Sequence, residues 1–381
     1  MARVRLAIVV CVVALAVGCG TGGRGVVFDT ARPVIALDVR DRSIAWLASR
    51  PVENRECDTR LWAWRRGGRP EPLPLPAENA GQCLAGDDLI AATVAVAPDA
   101  VGWTIDEEGG NDGEIFYGAG SAGRSASTFA HEFTNGGAGP NYSGELVAGV
   151  AAGRGGVVFG NAFVATRALV PSADECDLAP TEGGCASRVA RGGVWLWRRG
   201  RFYRTPFEPV AALAAHDDLL ALLTWPRTRR WVRNGEHYGP IEIATTAGRV
   251  VASIPSQKLA PLYGFDGMTM SGRLLAITHY PSVAVYALPD GAFVSDVPVP
   301  REVIGTYPHV AAGDHELVFW TPDSAVAVDV VSRRARVVAD NGAVPGADSL
   351  RHITALAVDH DTVYWALTAG GRSVVHSLRL R

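Results

Sequence analysis

Residues 355–365 read Ala355-Leu-Ala-Val-Asp-His-Asp-Thr-Val-Tyr-Trp365. Small and apolar residues run into a polar turn at Asp359, His360 and Asp361, and a second apolar run ends on an aromatic. The same shape returns at Ala36–Trp46, Val94–Trp103, Val150–Phe159, Ala212–Leu222, Thr269–Ala276 and Val310–Trp320. Seven copies of one hairpin make a repeat architecture. From Trp46 through Trp103, Phe159, Leu222, Ala276, Trp320 and Trp365 the steps are 57, 56, 63, 54, 44 and 45 residues. The last two steps are bare repeats and the first four carry insertions. After residue 20 no apolar spacing of 3.6 residues appears, which excludes a helical solenoid.

Strand-like runs extend each hairpin into a sheet of four. The expected strands are 34–39, 43–47, 60–64 and 71–75, then 89–96, 100–105 and 114–117 with a fourth inside 125–133. The third set is 146–152, 156–159, 193–197 and 201–205, and the fourth is 210–215, 219–223, 241–245 and 249–254. The fifth and sixth are 267–270, 273–277, 282–287 and 292–297, then 308–312, 316–320, 325–330 and 335–339. The first two strands of each set are apolar on both faces, the mark of sheets covered on both sides. Pro70, Pro72, Pro74 and Pro76 suit an outermost strand, where a missing ladder donor is tolerated. Trp62-Ala-Trp-Arg-Arg-Gly67 recurs as Trp195-Leu-Trp-Arg-Arg-Gly200, placing third strand against third strand.

The seventh set has only 352–358, 362–367 and 372–380, while Val26-Val-Phe-Asp29 is a strand without a local partner. The whole resembles a seven-bladed β-propeller, all-β, and the resemblance implies that these two ends pair to close the ring. Closure in this way leaves no free sheet edges at the seam.

Arg3 and Arg5 precede an apolar run of twelve, Leu6 to Val17, too short to span a bilayer but suited to a secretory leader. Its end, Leu15-Ala-Val-Gly-Cys19, resembles the lipobox of bacterial lipoproteins, with Ala16 where Leu is more usual. The resemblance implies cleavage after residue 18, a lipid on Cys19 and an extracytoplasmic chain anchored in the cell envelope. Residues 19–25 then form a Gly-rich tether and 26–381 the propeller domain. Cys11 leaves with the leader. Cys57, Cys83, Cys176 and Cys185 remain, an even number in an exported chain, which points to two disulfides. Four cysteines allow three pairings. Cys57 with Cys83 and Cys176 with Cys185 are the geometrically sensible pairs.

The formal net charge of −3 becomes −5 once Arg3 and Arg5 are removed, which excludes a strongly basic nucleic-acid binder. Lys258 is the only lysine, so arginine runs such as Arg227–Arg230 reflect composition rather than anion recognition. No nucleophile elbow, metalloprotease helix or phosphate loop is present, and no cofactor or metal is expected. Asp106 to Glu114 holds five carboxylates in nine residues, but without the alternation of a calcium loop.

The long loops join second to third strands, at Ala48–Thr59, Asp106–Gly113, Gly160–Gly192 and Pro226–Gly239. In a propeller they share one face with the inter-blade connections, and function resides on loops borne by a rigid scaffold. A protein partner on that face is the expected function. Glu145, Glu208, Asp266, His309, Arg351 and His352 stand where inner strands begin at the same face, as candidate ligand-binding groups at the channel mouth. They would also serve a hydrolase or lyase acting on glycans or peptides. Trp225 and Trp231 flank an insertion and are candidate stacking residues for a carbohydrate. Asp359, His360 and Asp361 fall on the opposite face, in a tight turn whose backbone they satisfy.

Overall fold

The computed structural model describes residues 25–41, 43–52, 57–65, 67–75, 92–107, 114–120, 141–168, 185–225, 232–233, 238–255, 267–303, 308–340 and 351–380. Strand β1 is Gly25–Thr30. Blade one is β2 (Val34–Arg40), β3 (Ser43–Pro51), β4 (Cys57–Arg65) and β5 (Glu71–Leu73). Blade two is β6 (Ala92–Ala97), β7 (Ala100–Glu107) and β8 (Glu114–Gly120), and its expected fourth strand lies outside the described residues. Blade three is β9 (Asn141–Gly153), β10 (Gly156–Ala168), β11 (Cys185–Arg198) and β12 (Arg201–Arg204). Blade four is β13 (Val210–His216), β14 (Leu219–Thr224), β16 (Ile241–Thr245) and β17 (Val250–Ile254), with β15 (Val232–Arg233) in its insertion.

Blade five is β18 (Gly267–Met270), β19 (Leu274–His279), β20 (Ser282–Ala287) and β21 (Phe293–Pro298). Blade six is β22 (His309–Ala312), β23 (Glu316–Trp320), β24 (Ser324–Asp329) and β25 (Ala335–Asp340), and blade seven ends the chain with β26 (His352–Asp359), β27 (Thr362–Ala369) and β28 (Arg372–Arg379). Each blade is an antiparallel meander. The inner strands neighbour one another in the closed order β2, β6, β9, β13, β18, β22, β26 and back to β2. The protein is a seven-bladed β-propeller.

Apolar burial explains why the blades stack. One hydrophobic core lies between every adjacent pair. Leu47 and Trp103 meet between blades one and two, Phe159 meets Ala119 between two and three, and Leu196 meets Leu222 between three and four. Ile243 with Ile277, Val285 with Phe319, and Val318 with Trp365 fill the next three seams. The seventh seam holds Phe28, Trp46 and Ala357. Each central strand is therefore covered on both faces, which is why its sequence does not alternate.

The ring closes through its own termini. β1 lies on β28 with Gly25 opposite Ser377, Phe28 opposite Val375 and Thr30 opposite Ser373, and a bulge falls between Val26 and Phe28. Blade seven thus has its fourth strand from the start of the chain. The Val34 N–H, where the chain passes into blade one, donates to Ser373 Oγ of blade seven at 2.8 Å.

One expectation fails. Gly160–Gly192 is not a plain loop, because β10 runs to Ala168, β11 starts at Cys185, and Ala162 to Ala168 pair with residues Cys185 to Gly192. β9 extends alongside, with Asn141 opposite Arg167. Blade three therefore carries a three-stranded arm beyond the ring, on the insertion-bearing face. Bulges at Gly160/Asn161 and Phe163/Val164 increase the local twist where it departs. Gly192, at φ +137°, lies so close to Asn161 that a Cβ would stand 2.4 Å from the Asn161 carbonyl oxygen. Only glycine fits there.

Candidate functional site

Two ends of the ring carry polar groups. At the insertion-bearing face, Glu208 precedes β13 and Arg351 precedes β26, both exposed. His309 opens β22 and stacks on Trp320 of its own blade, ring centroids 4.5 Å apart. His352 opens β26, half-buried, with Nδ1 enclosed and lacking a hydrogen-bond partner. Glu145 sits in β9 opposite Phe163, its side chain outside the described residues, as is Asp266 altogether. Among the described residues, no hydrogen bond or ion pair joins Glu208, His309, Arg351 and His352 to one another. Each is positioned by its own blade.

The candidate stacking residues also separate. Trp225 is only 6% exposed and packs with Ala162 and Val164 of the blade-three arm. Tyr238 meets it edge-on at 5.2 Å between ring centroids. A ring enclosed on both sides offers no face to a sugar, so Trp225 is a joint between arm and blade four, not a platform. β15 reinforces that joint, with Val232 and Arg233 pairing Ser187 and Ala186 of β11. Trp231 lies outside the described residues. So do Cys19, Cys83 and Cys176, while Cys57 and Cys185 are described only as backbone in β4 and β11. Of the Asp106–Glu114 run, Asp106 and Glu107 end β7 and Glu114 opens β8 opposite Glu107, their side chains outside the described residues, as are residues 108–113 altogether.

At the other face the inner strands end in tight turns, and here side chains from four blades converge. The channel above them is a cavity of about 230 Å³ lined by all seven inner strands, with Asp38 and Arg40 the charged lining residues among those described. Arg40 spans the axis, and its Nη2 donates to the Ala215 carbonyl of blade four at 3.2 Å. Its Nε and Nη1 are buried without a hydrogen-bond partner. His360 of blade seven shares a proton with Asp314 of blade six, Nδ1 to Oδ2 at 3.0 Å. Its Nε2 lies 4.0 Å from Asp41 of blade one and from Asp359. His216 of blade four meets the His360 ring edge-on at 5.8 Å, with Asp217 3.6 Å from its Nδ1.

The backbone supports this floor. Asp41, Asp217 and His360 occupy equivalent turn positions at φ near +50°. The Arg154 N–H donates to the Asp217 carbonyl at 2.8 Å, and its side chain pairs with the Asp217 carboxylate at 3.2 Å. Burial pulls the His216 imidazole down to about 4, aided by Arg40 and opposed by Asp217. Burial pushes the Asp359 carboxyl up to about 6 against the attraction of His360. The hydrogen bond to Asp314 holds His360 above its ordinary value despite partial burial, with Asp359 and Asp41 adding to it. Burial also raises Asp38, opposed by Arg40 and the Val96 N–H that donates to its Oδ2 at 2.7 Å.

Linkage gives these shifts opposite signs. The stability tied to neutral His216 is whole above about pH 6.5 and is lost as pH falls toward 4. That tied to His360 is whole below 6.5 and is lost as pH rises through its raised value. Asp359 also favours acid, losing its contribution as pH climbs through about 6. Asp314→Asn removes the main cause of the His360 shift. Urea midpoints should show the variant weaker by up to about 1 kcal/mol near pH 6, a small gap because the ring is half-exposed. The gap should close toward pH 8.5, and one that is constant with pH would contradict this account.

The floor escapes sequence reading because its residues lie far apart in the chain. One signal was there: superposing the turns puts Asp41, Asp217, Asp314 and His360 at the same station. Among the described residues no group of three or more His, Cys, Asp or Glu is arranged to hold a metal ion.

No protein-family model matches the chain, and no curated protein matches it in sequence. Among solved structures it is similar to the β-propeller domain of the Trilobed protease from Pyrococcus furiosus. That likeness has 7% identity and a TM-score of 0.40, over 91% of this chain and 95% of the other. The Pan2 WD40 domain of Neurospora crassa aligns at 12% identity and a TM-score of 0.33, over 76% of this chain and 89% of that one.

Proposed function

We propose that the chain is an envelope-anchored, non-enzymatic binding module, lipidated at Cys19, whose insertion-bearing face receives a protein partner. The observation that carries this reading is where the first strand enters. Gly25 pairs with Ser377, near the tight-turn end of blade seven, and β1 climbs from there toward the opposite face. The Leu380 N–H meets the Asp361 carbonyl at 2.6 Å, which fixes that end. A tether on Cys19 therefore holds the tight turns toward the membrane and turns the insertions outward.

The blade-three arm supports the protein-binding part. Strands of 13, 13 and 14 residues raise a sheet above the ring, and the joint at Trp225 fixes it. A wall of this kind suits an extended protein surface of ordinary interface size. A hydrolase or lyase needs an acid and a base within about 3 Å of one substrate, and among the described residues Glu208, His309 and His352 of the insertion-bearing face are not joined as such a pair.

Affinity capture from native membranes tests the proposal. The intact chain should retain a protein that is lost when residues 162–190 are replaced by a two-residue turn, with the remaining blades unchanged in stability. Equal capture by both chains contradicts the assignment of the face. Turnover of a glycan or peptide library with nothing captured contradicts the non-enzymatic reading.

A further inference from the structure

The turns joining third to fourth strands form an outer circle on the tight-turn face. Arg65 and Arg69 belong to blade one, Arg199 and Arg201 to blade three, Arg249 to blade four and Arg334 to blade six. All six are exposed, and none makes an ion pair among the described residues. Asp290 and Asp329 are acids of these turns, Asp329 Oδ1 accepting from the Val331 and Ser332 N–H groups, and exposed Glu71 follows Arg69 at the start of β5. Four other acids of this face lie near the axis, where Arg40, Arg154 and His360 meet Asp41, Asp217, Asp314 and Asp359, while Glu316 pairs with Arg336 at 3.0 Å. On the opposite face, by contrast, Arg32, Arg50 and Arg60 converge on the single carboxylate of Asp58. Composition explains why the cations are arginines. It does not explain why six without an ion pair ring this face, although Arg301 and Arg351 of the opposite face are likewise exposed and without one among the described residues.

Apolar surface accompanies them. A groove of about 400 Å³ between blades one and two is lined by Arg65, Arg69 and Arg199 and by the acids Glu71 and Asp99, together with Trp64, Ile44 and Pro98. Trp64 is half-buried and donates from Nε1 to the Gly68 carbonyl at 3.2 Å, an aromatic with one wet edge. Such rings favour the membrane–water boundary. Val331, 79% exposed, protrudes from the corresponding turn of blade six. The chain leaves this face at Gly25, six residues after Cys19, a reach of at most about 20 Å.

We propose that the tight-turn face docks on an anionic lipid surface, the arginine circle meeting lipid phosphates and Trp64 and Val331 lying at headgroup depth. The choice of a membrane as occupant rests on the Cys19 anchor. The anchor supplies proximity and the arginines supply orientation, so the insertion-bearing face is held outward rather than tumbling on its tether. Each arginine near an anionic surface is worth roughly fivefold in binding. Replacing Arg65, Arg69 and Arg199 by Gln should weaken docking on the order of a hundredfold.

The test is deuterium uptake by the intact chain mixed with vesicles of phosphatidylcholine alone or with one-third phosphatidylglycerol. The proposal expects sedimentation with both, and slowed exchange in the hairpins at 64–69, 198–201 and 245–249 on anionic vesicles only. That protection should vanish in 0.5 M salt and in the triple Gln variant. Sedimentation with both vesicles and identical exchange overturns the docking face while leaving the anchor intact. Sedimentation with anionic vesicles alone, with the same hairpins protected, upholds the face and removes the anchor. Sedimentation with neither removes both.

Discussion

Phe28→Ala should destabilise the protein by about 3–5 kcal/mol, the usual cost of emptying a large buried aromatic site. Phe28 is 8% exposed, and its ring lies 4.5 Å from Trp46 and 5.9 Å from Trp64. One side chain on the first strand therefore fills the seam between the last blade and the first. Removing it opens a cavity where the ring has no other covalent support, so the loss should appear as earlier unfolding of β1 and of both flanking blades. Val26→Ala, two residues away but 61% exposed, is the control and should change stability by less than about 0.5 kcal/mol. Chemical denaturation of the three proteins decides the matter. Equal midpoints for Phe28→Ala and the parent chain would mean the seam is not packed as described.

Trp225→Ala is the second large effect, also about 3–5 kcal/mol, but local. The ring fills the satellite core between arm and blade four with Ala162, Val164 and Tyr238. Its loss should release the arm while the seven seams stay intact, seen as faster exchange over residues 162–168 and 185–191 and little elsewhere. Trp225→Phe should be far milder. The indole Nε1 is buried without a hydrogen-bond partner, so the smaller ring forfeits contacts but also removes an unsatisfied donor. A sugar platform would behave otherwise, losing binding in both variants with the arm undisturbed.

These two residues mark what the sequence disclosed and what it hid. Ring and closure were readable because every blade repeats the same apolar hairpin, and because one strand was spare at Val26–Asp29 where blade seven lacked one. Trp225 read as an exposed flank of an insertion because its covering residues, Ala162 and Val164, lie in another blade. Alanine and glycine dominate the start of the arm, where Gly160, Ala162 and Ala165 leave little alternation to mark a strand. The floor of the channel was hidden for a different reason. Arg40, His216, Asp314 and His360 become neighbours only when the ring is closed, and each alone looks like ordinary turn chemistry. Arginine runs such as Arg227–Arg230 read as composition, and the arginine circle gave no sequence signal of its own, since only position on the ring brings its members together.

Everything proposed for the two faces depends on the first strand lying antiparallel on the last, which sets where the tether leaves and which turns look toward the membrane. Residue-resolved hydrogen exchange of the unmodified protein tests this most directly, at those β1 amides that face β28. The account predicts that they exchange as slowly as the amides of β28 itself, opening only with the ring. Exchange of those amides within minutes, while β28 stays protected, would contradict it.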